Sequence, residues 1–219
     1  MTRRRWILLL ILIVGVSAIV GGCARWAEPP EVDVRTCLAG EIGLLAVRFF
    51  ADVTLPAAWD GIAEIVMYEW DFGDGTIEKT PFGWYVVHQY DTAGPVEVRV
   101  SAIDSRGNRG VATLAMDVYE AAFVREWSLT LGFPVRVSGV VENRHDQTLD
   151  EVVVRGKFYD TAGVRFTQGD VTIFSLAPGE QAYFEVKADE YSPWIFHADV
   201  EIASFSTDCG LLPAGTGSL

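Results

Sequence analysis

Three acids are the first residues whose types and spacing suggest chemistry. Asp71 and Asp74 lie within the stretch YEWDFGDGT at 68–76, and Asp104 ends PVEVRVSAID at 95–104. Clustered carboxylates can ligate calcium, and a carboxylate pair can cleave a glycoside. A calcium loop of the helix–loop–helix kind needs oxygen donors at its first, third and fifth positions. Counted from Asp71, the third and fifth are Gly73 and Gly75, so these three acids are a loose calcium candidate at most. The chain has 30 acidic residues, and on so acidic a surface coincidental carboxylate pairs are expected. The three histidines sit in VHQY (His88), NRHDQ (His145) and FHADVEI (His197). None has a partner at metal-ligand or general-base spacing, and HExxH, GxSxG and phosphate-loop motifs are absent. The sequence therefore nominates no catalytic residue, no metal site beyond those acids and no cofactor.

Aromatic residues are the better lead. Trp84 and Tyr85 stand together in TPFGWYVV, while Tyr191, Trp194 and Phe196 crowd around Pro193 in EYSPWIF. Aromatics at the ends of sandwich folds can stack on sugar rings or anchor a protein partner. The competing reading is that they plug the ends of cores or an interface between domains.

These residues need a scaffold and a compartment. Arg3, Arg4 and Arg5 precede an apolar stretch over residues 6–20 and then Gly21-Gly22-Cys23, which is the layout of a secretory signal. Val20-Gly21-Gly22-Cys23 resembles the lipobox of bacterial lipoproteins, which implies cleavage before Cys23, acylation of that residue and a membrane tether. The alternative is an uncleaved anchor, for which the stretch falls short of the ~20 residues that span a bilayer. In either case the remainder is expected outside the cytoplasm. Removing residues 1–22 takes away three arginines and no acid, which lowers the formal net charge from −13 to −16. That sign opposes nucleic acid and anionic lipid as partners. Attachment then depends on the acyl chains of Cys23.

With Cys23 lipidated, Cys37 and Cys209 form an even pair in an oxidising compartment. Either they are bonded or they are two separate thiols, and their spacing carries no metal or redox motif.

Residues 24–34 hold Pro29, Pro30 and three acids without an apolar period, which reads as an extended spacer. Trp26 is placed to meet lipid headgroups. Beyond the spacer, alternation with period two recurs at 44–53, 64–72, 95–104, 110–119, 134–143, 151–160, 181–189 and 196–205. Val96, Val98 and Val100 share one face of such a stretch, and Glu97, Arg99 and Ser101 the other. That pattern predicts half-buried antiparallel strands. Turn dipeptides such as Asp74-Gly75 and Pro178-Gly179 separate them, and Asp74-Gly75 predicts a two-residue hairpin. Asp71 is expected to accept backbone N–H bonds across that turn. The fold class predicted is all-β, two tandem immunoglobulin-like antiparallel sandwiches after an N-terminal segment.

YEWDFGDGT, then VHQY at 87–90 with Gly94, then VEVRVSAIDSRG at 96–107, is similar to the PKD (polycystic kidney disease repeat) domain. The resemblance covers roughly residues 36–119. It implies an immunoglobulin-like sandwich used outside cells for protein or polysaccharide contact and as a spacer. It also makes Trp70, Asp71, Phe72, Gly73, Asp74, Gly75, His88 and Tyr90 structural residues. Pro95-Val96 departs from the aromatic that usually follows the glycine. VSGVVENRHDQTLDEVVVRGKFYDTAGVRF and FSLAPGEQAYFEV resemble the FxLyD domain of secreted and lipid-anchored bacterial proteins, from about Val135 to Phe205. Gly139, Asn143, Tyr159 and Asp160 are kept. Gly156 replaces the name motif's phenylalanine, so a neighbour is expected to fill its space.

The expected organisation is a signal segment (1–22), a lipid-anchored spacer (23–34), a PKD-like sandwich (35–119), a linker (120–132), an FxLyD-like sandwich (133–208) and a flexible tail (209–219). The function expected is non-enzymatic: a cell-envelope protein, lipid-anchored on the extracytoplasmic side, presenting its sandwiches for protein binding or scaffolding. The alternatives are polysaccharide binding through loop aromatics and an accessory part of an envelope hydrolase.

Overall fold

The computed structural model describes residues 28–57, 61–81, 83–190 and 194–209. The lipobox with Cys23, Trp26, Tyr191 and the residues after Cys209 lie outside this set. Among the described residues there are thirteen strands and no α-helix. They are β1 (Glu31–Leu38), β2 (Ala46–Thr54), β3 (Ile65–Asp71), β4 (Ile77–Thr80), β5 (Tyr85–Gln89), β6 (Gly94–Asp104), β7 (Arg109–Val118), β8 (Ala122–Thr130), β9 (Arg136–Asn143), β10 (Leu149–Asp160), β11 (Arg165–Leu176), β12 (Gln181–Lys187) and β13 (Ile195–Ser206). They form four sheets, ordered β1-β2-β5, β4-β3-β6-β7, β12-β9-β8 and β11-β10-β13. The fold is all-β and of the immunoglobulin-like sandwich type, as the period-two alternation predicts.

The described chain divides into two compact units, each discontinuous in sequence. One takes Ala51–Trp84 and Glu97–Leu114 with the described residues up to Val34. The other takes Arg35–Phe50, Tyr85–Val96 and the described residues from Ala115 onward.

Within the first unit, β3 pairs antiparallel with β4 and β6, and Trp70 lies between Glu78 and Val100. Tyr68 and Trp70 point inward with Val98, Val100 and Ala102, and all of them are buried. Burying each large apolar side chain contributes about 1.5–3 kcal/mol.

Within the second unit, sheet β11-β10-β13 faces sheet β12-β9-β8. Val152, Val154 and Phe158 of β10 meet Val137 and Val141 of β9, Phe184 of β12 and Phe205 of β13 in one core. Glycines set the approach of the two sheets. Gly156 and Gly169 are opposite each other in the β10–β11 ladder. A Cβ at Gly156 would meet Val137 and Val186, and one at Gly169 would overlap the Lys187 carbonyl.

Two stretches differ from the sequence reading. Residues 120–132, read as a linker, contain β8, which pairs with β9 from Ala122↔Asn143 to Thr130↔Arg136. A bulge between Val124 and Glu126 shifts the register there, which hides the period of two. The spacer read over 23–34 gives way to β1 from Glu31, because sheet pairing satisfies its backbone despite a mixed side-chain pattern.

Candidate functional site

The strongest motif proves to be a scaffold. Phe72 donates its N–H to the Thr76 carbonyl at 3.1 Å, so the β3–β4 loop is Gly73-Asp74-Gly75. This corrects the expected two-residue turn. Positive φ falls on Gly73 (79°) and Gly75 (95°) and not on Asp74. Gly73 has a further need for glycine, a close approach: a Cβ there would lie 2.6 Å from the Glu97 carbonyl oxygen. Asp71 Oδ1 accepts from the Gly73 N–H at 3.1 Å and Asp74 Oδ1 from the Thr76 N–H at 2.9 Å, which is the turn-closing use expected of Asp71. Trp70 and Phe72 are fully buried. His88 sits edge-on to the buried Tyr90 ring, with centroids 4.6 Å apart.

The loose calcium candidate does not assemble. In the β3–β6 ladder Asp71 is opposite Arg99 while Asp104 is opposite Ile65. Six residues at about 3.3 Å each put these two acids roughly 20 Å apart along the sheet. Asp104 is instead buried and closes its own turn. Its Oδ1 accepts the Arg106 and Asn108 N–H groups at 2.9 and 2.8 Å, and its Oδ2 accepts the Asn108 side-chain amide at 2.9 Å. Burial raises its pKa more than any single contact lowers it. The hydrogen bonds from Asn108, Arg106 and Gly107 together still hold the carboxyl below the usual carboxylate range. Among the described residues no group of three or more His, Cys, Asp and Glu could hold a metal.

Cys37 and Cys209 are joined by a disulfide, their Cα atoms 5.5 Å apart and their positions 172 residues apart in sequence. Close to it is a small recess lined by Thr36, Cys37, Leu44, Val47, Tyr119 and His145. His145 lies in the polar stretch NRHDQ, and its side chain is only 14% exposed. It stacks on Tyr119 with centroids 5.6 Å apart. Buried Asn143 folds the turn that carries it: Oδ1 accepts the His145 N–H at 2.8 Å, and Nδ2 donates to the Gln147 and Leu176 carbonyls. Burial, the largest influence, lowers the His145 pKa against the opposing pull of Asp146. Its Nδ1 lies 3.1 Å from the Gln147 N–H and 3.0 Å from Asp146 Oδ1.

The candidate aromatics separate. Tyr85 is 51% exposed and lies opposite Phe50 in the β2–β5 ladder. Their ring centroids are 6.3 Å apart, and Arg35 lies over the Phe50 ring. Trp84 is half-exposed and Trp194 largely exposed.

Sequence reading named Phe196 but missed the group it belongs to. On the outer face of β10, Tyr159 is opposite Arg165 of β11 and His197 of β13. The register slips by one residue on both sides of it, so Phe166 on one neighbouring strand and Phe196 on the other are extra residues outside the ladder. Both are exposed, and Tyr159 and His197 have ring centroids 5.6 Å apart. The signal available was the aromatic content of FYDTAGVRF and IFHADV, but alternation cannot reveal a bulge.

With this geometry in view, likeness to known proteins divides the chain. Residues 51–118 match the family model described as PKD domain, so the chain contains a PKD domain over that span. Among solved structures it is similar to the PKD1 domain of the Vibrio cholerae metalloprotease PrtV, at 21% identity and TM-score 0.34, over 42% of this chain and 98% of that one. It is similar also to the PKD1 domain of Vibrio anguillarum Epp, at 23% identity and TM-score 0.35, over 42% and 95%. A carbohydrate-binding module of the β-sandwich superfamily aligns over 83% of this chain and 94% of its own, at 11% identity and TM-score 0.36. No curated protein matches the chain.

Proposed function

We propose that the protein is a non-catalytic display module of the cell envelope, lipid-anchored through Cys23, that presents its β-sandwiches on the extracytoplasmic side for protein binding or scaffolding. The observation that carries this reading is how the PKD-domain residues are used. Trp70, Phe72 and Tyr90 are consumed in packing, Asp71, Asp74 and Asp104 in turns, while Tyr85 and Trp84 stay half-exposed. Aromatics left at a surface supply large contact area at low entropic cost, which suits a binding role. The basic start, apolar stretch and Gly21-Gly22-Cys23 support the anchor, and the strongly acidic balance leaves acyl chains as the means of attachment. An FxLyD-like assignment of the second half rests on the Gly139, Asn143 and Tyr159-Asp160 pattern.

Two measurements test it. Intact mass of protein from its native membrane should begin at Cys23 with added acyl groups, and Cys23→Ser should release the protein from membranes. Retention of residues 1–22 in the mass would overturn the lipoprotein reading. A photo-crosslinking residue at Tyr85 on whole cells should capture an envelope protein, and the same residue at Ile77 should not.

A further inference from the structure

From the double bulge around Tyr159 we propose a second, separate binding site: a platform for a neutral polysaccharide on the outer face of β11-β10-β13, built from Phe166, Tyr159, Phe196 and His197. It deepens the display reading above by naming a ligand class for a face distinct from Trp84 and Tyr85.

Regular pairing would place one outward side chain opposite Tyr159 on each neighbour. The slips in both ladders put a further aromatic beside each of those positions, Phe166 on β11 and Phe196 on β13. Both are exposed, at 43% and 52%. Bulges re-aim side chains in this way and concentrate at functional sites. Adjacent strands are about 4.8 Å apart, so the outer two of the three are roughly 10 Å apart, a span that a short oligosaccharide covers. Sugar rings present an apolar C–H face that lies flat on aromatic rings.

The charges around the platform select the ligand. Arg155 makes a two-point pair with Asp170 at 2.8 and 2.7 Å, Lys157 pairs with Glu201 at 2.6 Å, and His197 Nε2 lies 3.1 Å from Asp199 Oδ1. With Arg165, which is opposite Tyr159, the cations Arg155, Lys157 and Arg165 equal the anions Asp170, Asp199 and Glu201 in formal charge, so together they carry no net formal charge to attract a charged polymer. A protein partner of ordinary interface size, about 800 Å² per side, would have to desolvate these pairs. A glycan lying along the aromatic row leaves them wet, and its hydroxyls hydrogen-bond to their carboxylates.

The test is calorimetric titration of the full chain in detergent with neutral cello-, chito-, malto- and manno-hexasaccharides, and with an oligogalacturonate as anionic control. At least one neutral hexasaccharide should bind. Phe196→Ala and Tyr159→Ala should each weaken that binding about tenfold or more, the scale of a hot-spot residue. Phe166→Ala should weaken it less, and Tyr183→Ala, an exposed aromatic on the other sheet, should leave it unchanged. The exposed Phe196 variant is checked for an unaltered melting temperature, which keeps the test clear of folding defects. The proposal is overturned if no neutral hexasaccharide binds, if both main variants bind as wild type does, or if oligogalacturonate binds equally well. It is overturned too if Phe196→Ala abolishes self-association in sedimentation, which would make the face a dimer contact. None of these readouts uses the anchor or the crosslinked partner, so failure here and failure of the display reading are told apart.

Discussion

The Trp70–Gly75 hairpin and the Tyr159 face use aromatic and acidic residues in opposite ways. In the hairpin the aromatics are fully buried and the acids are bound to backbone N–H groups. On the Tyr159 face the flanking aromatics are exposed and the acids are paired with cations on neighbouring strands. The more recognisable motif belongs to the region where everything is spent on folding. A motif legible in sequence reflects backbone constraint, and a binding surface imposes less of that.

Four perturbations would break or sharpen this contrast. The largest effect should come from Cys37→Ser with Cys209→Ser, which opens a loop of 172 residues. The chain-entropy model puts the loss at up to about 5 kcal/mol, measured as a fall in the urea midpoint equal to that of wild type under reductant. Next, Trp70→Ala empties a fully buried site and should cost about 3–5 kcal/mol. By contrast, Phe196→Ala should cost under about 0.5 kcal/mol, as surface substitutions usually do. Equal losses for the two would end the distinction between packing and display.

Third, Gly73→Ala should destabilise by about 2–3 kcal/mol and Gly75→Ala by about 1 kcal/mol, the scale of strained backbone. Both have positive φ, but only at Gly73 does a Cβ run into backbone. The smallest effect concerns Asp104. Its folded pKa is held down, so its contribution is complete above the unfolded value of about 3.9 and is lost as pH falls through the folded value. Asp104→Asn should therefore lower the urea midpoint at pH 7 and narrow the difference between pH 7 and pH 3. An unchanged difference would show that the Asp104 carboxyl has the same pKa folded and unfolded.

Much of the scaffold was legible. Period-two alternation identified β2, β3, β6, β7, β9, β10, β12 and β13 to within a few residues, because each buries one face and exposes the other. β4, β8 and β11 were not legible, since edge strands and bulges blur the period: β8 slips at Val124/Glu126 and β11 at the point opposite Phe158/Tyr159. The candidate site was less legible still. Asp71 and Asp104 have similar sequence contexts at the ends of strands, and only the β3–β6 register separates them. His145 looks like a surface residue in NRHDQ until Asn143 folds that turn onto Tyr119.

What the sequence determined by itself is local: which residues alternate, and that the acidic side chains outnumber the basic ones. Tertiary structure decided which distant residues meet. It brought Cys37 to Cys209 and closed Gly156 against Val137 and Val186. It also placed Phe166 and Phe196 on either side of Tyr159 through two register slips. Alternation tells a strand which face is inward, but the pairing partner and its register are set by the packing of the whole sheet, and a bulge appears only once both strands are in place.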